Sequence, residues 1–323
     1  MNNKKYYFFL IPLILILFIT VSKVCDNKDN YVILVSFDGF RYDYMKRVDT
    51  PYFDFIKMNG VKAKSLKPIF PTFTFPNHYA IATGCYSNKH KILGNEFYSV
   101  ARQAYYSYKN SETVKDGSWY KEQPIWTTAE KNNIITATYF WVGSEAKIGG
   151  YRPSYYKNYT SGINPKDKVD QVINWLKLPL KERPKLVCLY FNEPDHAGHV
   201  YGANSKEVNQ QIQAADSILG YLLNSLKNLE IHDQINLVIV SDHGMVDVSE
   251  ERLINLDDYL NTNHFIVDGK GPIVNIRYKN KKNHLDQELK IPNLTYYTSN
   301  NIPDDYNFSS SDLSDVIFVA DQN

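Results

Sequence analysis

The sequence predicts an α/β fold in which a mainly parallel central sheet is flanked by helices. Continuous apolar runs at residues 31–36, 134–140, 185–191 and 235–241 are the first observation behind this prediction. Such runs are typical of strands that are buried on both faces of a parallel sheet. The second observation is that helix-like segments separate the runs, because parallel pairing needs a strand–helix–strand order along the chain.

The clearest predicted helix covers about residues 205–227, where apolar side chains recur every three or four residues and form one stripe. The stripe consists of Val208, Ile212, Ala215, Leu219, Leu222 and Leu226. After Asp247 the pattern weakens into short strand-like pieces such as residues 272–278 and 316–320. Since no linker, repeat or long charge block interrupts the chain, we expect one domain over residues 30–323.

Composition and charge limit the classes of function. The 323 residues are 43% hydrophobic and 22% charged, which is ordinary for a globular protein. Lys plus Arg number 36 and Asp plus Glu number 35, for a net charge of +1. This balance argues against a nucleic-acid coat, which needs a strong basic field, but is compatible with a small phosphorylated substrate.

The N-terminus predicts export. Lys4 and Lys5 precede an apolar run at residues 6–21, and a polar stretch follows. This arrangement fits a cleaved signal peptide or a retained signal anchor over residues 1–25, and the sequence leaves both open. We therefore expect an extracytoplasmic protein, secreted, periplasmic or attached to the membrane through this segment alone.

Three of the predicted strands end in acidic residues, and two of these ends also carry histidine. Asp38 follows the first strand, Asp195 and His199 follow the third, and Asp242 and His243 follow the fourth. Each Asp alone would ordinarily form a turn or a helix cap. Because the carboxyl ends of parallel strands meet at one edge of the sheet, the three ends together favour a divalent-metal site.

A hydroxyl group is predicted beside this edge. Pro76 fits the first turn of a helix and would put Thr74 at or just before the N-cap. Unpaired N–H groups and the positive end of the helix dipole favour a phosphoryl group at such a position. Next to a metal cluster, Thr74 becomes a candidate nucleophile.

These motifs together resemble one known family. They are FDG at residues 37–39, TFPNHY at 74–79, TG at 83–84, EPD at 193–195, GH at 198–199 and SDHGM at 241–245. Their types and order over residues 32–246 resemble the nucleotide pyrophosphatase/phosphodiesterase family of the alkaline phosphatase superfamily. The resemblance implies an alkaline-phosphatase-like fold and hydrolysis of nucleotide phosphodiester or pyrophosphate bonds through a phosphothreonine on Thr74.

The resemblance also implies two zinc ions and a set of substrate-binding residues. One zinc would be held by Asp38, Asp242, His243 and Thr74, and the other by Asp195, His199 and a further histidine. Asn95 stands where the family has an amide that holds a phosphate oxygen. Phe75 and Tyr159 match positions that stack the nucleotide base, although Tyr159 also fits an ordinary loop tyrosine.

The sequence departs from the family pattern at the second zinc. The family places the further histidine beyond the strand that resembles residues 316–320, where this sequence ends. The resemblance therefore implies a catalytic domain truncated at its C-terminus, with an incomplete second site. Two alternatives stay open: an impaired zinc- and nucleotide-binding protein, or a phospholipid-cleaving diesterase of the same superfamily. A sulfatase is disfavoured, because Thr74 is neither Cys nor Ser.

Overall fold

The computed structural model describes residues 30–269, 271–280, 285, 289–298, 301–308 and 314–321. The predicted signal segment, residues 1–25, lies outside the described residues. Of the helices within the described ranges, none combines the length and the apolar character needed to cross a membrane.

The strands in the described part of the chain are, in order, β1 (Tyr31–Phe37), β2 (Glu96–Ser99), β3 (Ala104–Ser107), β4 (Thr136–Tyr139), β5 (Tyr155–Lys157), β6 (Leu186–Phe191), β7 (Ile235–Val240), β8 (Phe265–Asp268), β9 (Ile273–Tyr278), β10 (Leu294–Thr298) and β11 (Val316–Ala320). The α-helices are α1 (Pro51–Asn59), α2 (Thr74–Thr83), α3 (Ser87–His90), α4 (Ser111–Lys115), α5 (Ile125–Lys131), α6 (Pro165–Leu176), α7 (Asp195–Tyr201) and α8 (Lys206–Lys227). Short 3-10 helices cover Tyr44–Lys46, Gly117–Trp119, His232–Gln234, Glu250–Arg252, Leu256–Asp258, Thr262–His264 and Asp304–Tyr306.

The central sheet has the strand order β5-β4-β6-β1-β7, and every pairing in it is parallel. The predicted fold class is confirmed, and the four predicted strands correspond to β1, β4, β6 and β7. Ser36 on β1 pairs with Tyr190 on β6 and with Val240 on β7. This register brings the carboxyl ends of the adjacent strands β6, β1 and β7 to the same level, where the candidate site lies.

Apolar clusters cover both faces of β1 and β6, whereas Val238 of the edge strand β7 is 44% exposed. Ile33, Val35 and Phe37 of β1 belong to one cluster with helices α6 and α8, and Leu34 belongs to a second cluster with Trp126 and Trp141. Alternate residues of a strand point to opposite faces, so the two clusters lie on opposite sides of the sheet. Burial of each large apolar side chain contributes about 1.5–3 kcal/mol, which makes this sheet a firm support for its edge.

Helix α8 matches its predicted stripe, since all six predicted stripe residues are buried. Its first N–H groups are capped by Ser205, whose side chain accepts from the Val208 N–H at 3.2 Å.

A second sheet follows the central one along the chain. Its order is β10-β11-β9-β8 with antiparallel pairing throughout, and it packs around its own cluster that includes Phe265, Ile276 and Phe318. The weak strand-like pieces predicted at 272–278 and 316–320 are its strands β9 and β11. Strands β2 and β3 form a separate antiparallel pair.

Candidate metal centre and active site

The ends of β1, β6 and β7 bring three aspartates together. Asp38 follows β1 directly, Asp195 is the first residue of α7 after β6, and Asp242 lies two residues beyond β7. The Asp195 N–H donates to the Asp38 carbonyl oxygen at 3.0 Å, and the Gly39 N–H donates to Asp242 Oδ1 at 3.1 Å. Hydrogen bonds donated by two backbone N–H groups therefore connect the three strand ends to one another.

Asp38, Asp242 and His243 form a compact group of candidate metal ligands, with one ligand atom from each lying within 4.8 Å of the others. His243 Nε2 is 3.5 Å from Asp38 Oδ1 and 3.2 Å from Asp242 Oδ2. His243 Nδ1 is 2.9 Å from the Gly244 carbonyl oxygen, which can only accept, so Nδ1 carries the proton. The lone pair of the neutral ring is then on Nε2 and faces the two carboxylates, as metal binding requires.

Carboxylate oxygens without a protein partner identify where a cation fits. Asp38 Oδ1, Asp195 Oδ1 and Asp242 Oδ2 are buried, and none of them has a hydrogen-bond partner among the described residues. A buried polar atom without a partner is costly, and a buried charge is more so. A divalent cation among these oxygens would remove that cost. Carboxylate oxygen and imidazole nitrogen are donors that suit zinc.

The two most buried carboxylates have opposite pKa shifts. Burial, and then the negative charges of Asp242 and Asp195, raise the pKa of Asp38 well above its ordinary value. Burial acts to raise the pKa of Asp242 too, but the positive charges that His78 and His243 carry when protonated outweigh it and hold that pKa below its ordinary value. Without a cation, Asp38 is therefore the carboxylate that most readily keeps a proton.

Asp195 and His199, the predicted ligands of a second ion, lie one helical turn apart on α7. Asp195 Oδ1 is 3.4 Å from His199 Nε2 and 3.9 Å from His243 Nε2. The His199 side chain is 71% exposed, and its interaction with Asp195 raises its pKa. The two predicted ligand sets thus lie side by side, and Asp195 of the second set is the member within 3.9 Å of His243 in the first.

Thr74 faces this cluster from the start of α2. Its Oγ1 is 3.3 Å from His243 Nε2. The prediction of Thr74 at or before the N-cap was wrong by one residue, because Phe73 is the N-cap and Thr74 is the first helical residue. Phe73 has the extended backbone that ends the preceding loop, so the helix begins directly after it. Thr74 remains at the positive end of the helix dipole.

The three predicted substrate-binding residues, Asn95, Phe75 and Tyr159, have different environments. Asn95 Oδ1 accepts a hydrogen bond from the Phe75 N–H at 2.9 Å, which ties Asn95 to the residue after Thr74. The Phe75 side chain is only 7% exposed and packs against Tyr106 and Tyr108, so it offers little free surface. Tyr159 is 47% exposed, and its ring contacts Phe140.

The structure adds supporting residues that the sequence analysis missed. Tyr190 donates its hydroxyl to Asp38 Oδ2 at 2.6 Å. His78 Nδ1 donates to the Thr74 carbonyl oxygen at 3.0 Å and lies 3.3 Å from Asp242 Oδ2, and its Nε2 is 2.9 Å from Ser36 Oγ. The four-residue spacing between Thr74 and His78 on one helix was a usable signal for His78. Tyr190 had none, because its contact depends on the register of two strands.

The fold and the site define a class: α/β proteins that carry a candidate metal cluster and a threonine hydroxyl at the carboxyl edge of a parallel sheet. Residues 32–323 match the type I phosphodiesterase / nucleotide pyrophosphatase family. The chain therefore belongs to this family, and the resemblance identified from the motifs is confirmed. The family is metal-dependent, and the Asp38–Asp242–His243 group is a candidate metal-binding triad in this chain.

Among known proteins, the chain is 40% identical over 269 residues to venom phosphodiesterase 2 of Crotalus adamanteus, covering 82% of this chain and 33% of that protein. It is 35% identical over 297 residues to human ectonucleotide pyrophosphatase/phosphodiesterase family member 5, covering 90% of this chain and 61% of that protein. The structure of the murine member 5 superposes with a TM-score of 0.84 at 33% identity, over 90% of this chain and 79% of that one. An inactive threonine-to-alanine variant of the murine protein in complex with AMP gives a TM-score of 0.85 at 32% identity, with the same coverage.

Proposed function

We propose that this protein is a zinc-dependent phosphodiesterase and nucleotide pyrophosphatase that uses Thr74 as its nucleophile. The observation that carries the proposal is the position of Thr74 Oγ1, 3.3 Å from His243 Nε2 at the edge of the carboxylate cluster. The inactive threonine-to-alanine variant of the murine relative supports it. The chain spans about a third of the venom relative's length and about three fifths of the human one's, so the activity is argued from this chain's own residues.

The ligand groups divide into two sets in this proposal. Asp38, Asp242 and His243 would hold one zinc ion next to Thr74, and Asp195 and His199 would contribute to a second. Zinc, when bound, supplies Lewis acidity and positive charge at the reacting oxygens. The three aspartates suit metal binding because each has a buried carboxylate oxygen without a hydrogen-bond partner among the described residues.

The chain's own groups then carry the reaction. Thr74 Oγ1 gives up its proton to solvent and attacks phosphorus, and the bond from phosphorus to the leaving oxygen breaks as that oxygen takes up a proton. The intermediate is a phosphothreonine ester in which phosphorus keeps its other substituent. Water cleaves this ester and restores the hydroxyl. The positive end of the α2 dipole stabilises the negative phosphoryl oxygens beside Thr74. Asn95, whose Oδ1 is held by the Phe75 N–H at 2.9 Å, would use its NH₂ group as a donor to one of those oxygens.

Nucleotides are the proposed substrates, as the AMP complex of the murine relative suggests. Tyr159, which is 47% exposed, is the better base-stacking candidate, and Phe75 at 7% exposure would offer no more than a ring edge. The apolar run at residues 6–21 and the venom and ectoenzyme relatives support an extracytoplasmic location. The net charge of +1 gives no strong basic field, so a small nucleotide is a better proposed substrate than a nucleic-acid polymer.

Hydrolysis of a p-nitrophenyl nucleotide ester tests the proposal. Thr74→Ala should lower kcat by at least about a thousandfold, because the nucleophile acts as a unit with the metal cluster. Its zinc binding, measured by elemental analysis, should be partly retained, because Asp38, Asp242 and His243 remain as ligands. A phosphate monoester measured in parallel reports the preference for diesters.

Thr72→Ala is the matched control, since Thr72 is an exposed threonine two residues upstream of the proposed nucleophile. This variant should retain kcat within about twofold, as expected for an exposed side chain that has no part in the proposed reaction. Nearly equal kcat values for Thr74→Ala and Thr72→Ala would refute the role of Thr74. A wild-type protein that is inactive despite full zinc loading would refute the activity.

A further inference from the structure

The two oxygens of the Asp38 carboxylate have different environments. Oδ2 accepts a hydrogen bond of 2.6 Å from the Tyr190 hydroxyl, in a fully buried setting. Oδ1 has no hydrogen-bond partner among the residues that the structure describes, and it lies 3.5 Å from His243 Nε2. One oxygen is therefore held by the protein, and the other is left for a cation.

Tyr190 itself is held firmly. Its backbone lies on β6 in register with Ser36 of β1, next to the strand end that carries Asp38. Its ring, 6% exposed, lies edge-on to His78 and to Phe140, with centroids 5.2 Å away in each case. The packed ring therefore holds the hydroxyl oxygen 2.6 Å from Asp38 Oδ2, to which it donates.

We propose that Tyr190 is a positioning residue for the metal centre, whose hydroxyl fixes the rotation of the Asp38 carboxylate so that Oδ1 alone faces the divalent cation. The inference rests on the proposed function for its metal site and assigns a role in building that site. Tyr190 acts through Asp38. A carboxylate without this donor could turn about its terminal torsion, which is soft, and would bind the ion with a less defined geometry.

The test is a metal titration of the variant Tyr190→Phe, which removes the hydroxyl and keeps the ring. Zinc affinity is measured by competition with a chromophoric chelator, and the visible spectrum of the cobalt form reports ligand geometry. We expect zinc to bind about 10- to 100-fold more weakly in this variant, as for other groups that orient metal ligands. The absorption bands of the cobalt form should also shift.

Tyr221→Phe is the matched control, because the Tyr221 hydroxyl also donates to an aspartate, Asp170 Oδ1, at 2.7 Å on the surface. Its zinc affinity should stay within about twofold of the wild type. A Tyr190→Phe variant with a lower melting temperature but unchanged zinc affinity and cobalt spectrum would overturn the proposal, since that pattern means packing only.

A double-mutant cycle with Asp38→Asn separates action through Asp38 from a direct effect. If Tyr190 acts through Asp38, Tyr190→Phe weakens zinc binding in the wild type and has no further effect on the weaker binding of Asp38→Asn. Equal losses in both backgrounds would overturn the proposal. Because every readout is metal binding without turnover, a failure here is distinct from a failure to hydrolyse nucleotides.

Discussion

At the scale of single residues, Gly39 is the position where the backbone itself controls the site. Its φ is +68°, a left-handed conformation, and a Cβ atom there would lie 2.9 Å from both Cα and Cβ of Asp195. Other residues avoid this conformation, and the contact is shorter than side chains tolerate. Only glycine therefore lets the ends of β1 and β6 approach closely enough for Asp38 and Asp195 to share one site.

We predict that Gly39→Ala lowers the free energy of unfolding by more than about 2 kcal/mol, because backbone strain and overpacking add together. The displaced Asp195 should also weaken zinc binding measurably. Urea denaturation gives the first quantity, and chelator competition gives the second.

Gly84→Ala is the matched comparison. Gly84 also has a φ of +68°, but a Cβ atom there would meet nothing within 4 Å. Its free energy of unfolding should fall by only about 1 kcal/mol, because alanine is strained in the left-handed conformation. The variant should bind zinc like the wild type. If both variants lost the same stability and kept full zinc affinity, close packing against Asp195 would have no role.

At the scale of helices and strands, the sequence predicted the elements that depend on local pattern. The runs behind β1 and β6 are continuous because these strands are buried on both faces, so few other structures fit them. The run behind β7 gave the right strand but the wrong burial, because β7 lies at the edge of the sheet and its Val238 is 44% exposed. Helix α8 was equally clear, since its stripe has the helical period over 22 residues. Placing the aspartates at one edge then followed from parallel pairing alone.

The contacts between elements could not be predicted in the same way. Tyr190 reaches Asp38 across 152 positions of sequence, and Ser36 reaches His78 across 42. Such contacts depend on strand register and helix placement, which single-sequence periodicity does not specify. The N-terminal boundary of α2 was missed by one residue because boundaries depend on local capping, and Phe73 has no side-chain oxygen to mark it.

Helix α6 carries a buried cation, Lys168, next to the central sheet. Its side chain is 5% exposed, and its Nζ donates to the Tyr190 carbonyl oxygen at 3.2 Å. Burial lowers the pKa of Lys168 from 10.5 to about 8. Below pH 8 the lysine is charged in both folded and unfolded protein, so the full cost of burying the charge is present. This cost disappears as the pH rises from 8 to 10.5, because the folded protein releases its proton first.

Lys168→Met should therefore change the pH dependence of stability. Between pH 7 and pH 9.5, the wild type should gain about 2 kcal/mol in free energy of unfolding relative to the variant, since each pKa unit corresponds to about 1.4 kcal/mol. Urea denaturation at several pH values measures this difference. Groups other than Lys168 titrate alike in both proteins and cancel.

Lys177→Met serves as the control for this experiment, because Lys177 is exposed just after the end of the same helix. Its stability difference from the wild type should stay constant with pH to within about 0.5 kcal/mol. A pH-independent difference for Lys168→Met as well would mean that the lysine remains fully charged in the folded protein.

At the scale of the whole molecule, three strands of the central sheet end in carboxylates that repel one another. The charges of Asp242 and Asp195 both raise the pKa of Asp38, and the buried oxygens between them have no hydrogen-bond partner within the described ranges. The apolar clusters on the two faces of the sheet stabilise this edge against the repulsion. The stability of the whole chain should therefore be coupled to the bound cation.

Asp195→Asn separates the cost of the repulsion from the gain of metal binding. In excess chelator the variant should melt about 2–4 °C above the wild type, because one negative charge is removed from the cluster. In excess zinc the order of the melting temperatures should reverse, because an ion at 100 times its Kd adds about 2.7 kcal/mol to the stability of the wild type and less to that of a variant that has lost a ligand.

Asp216→Asn is the matched buried control. Asp216 Oδ1 accepts hydrogen bonds from the Tyr52 and Phe53 N–H groups at 3.0 and 2.9 Å, at the start of α1 and away from the cluster. That variant should melt lower in both conditions and gain as much from zinc as the wild type. If Asp195→Asn melted below the wild type by the same amount with and without zinc, the carboxylates would neither repel one another nor share an ion.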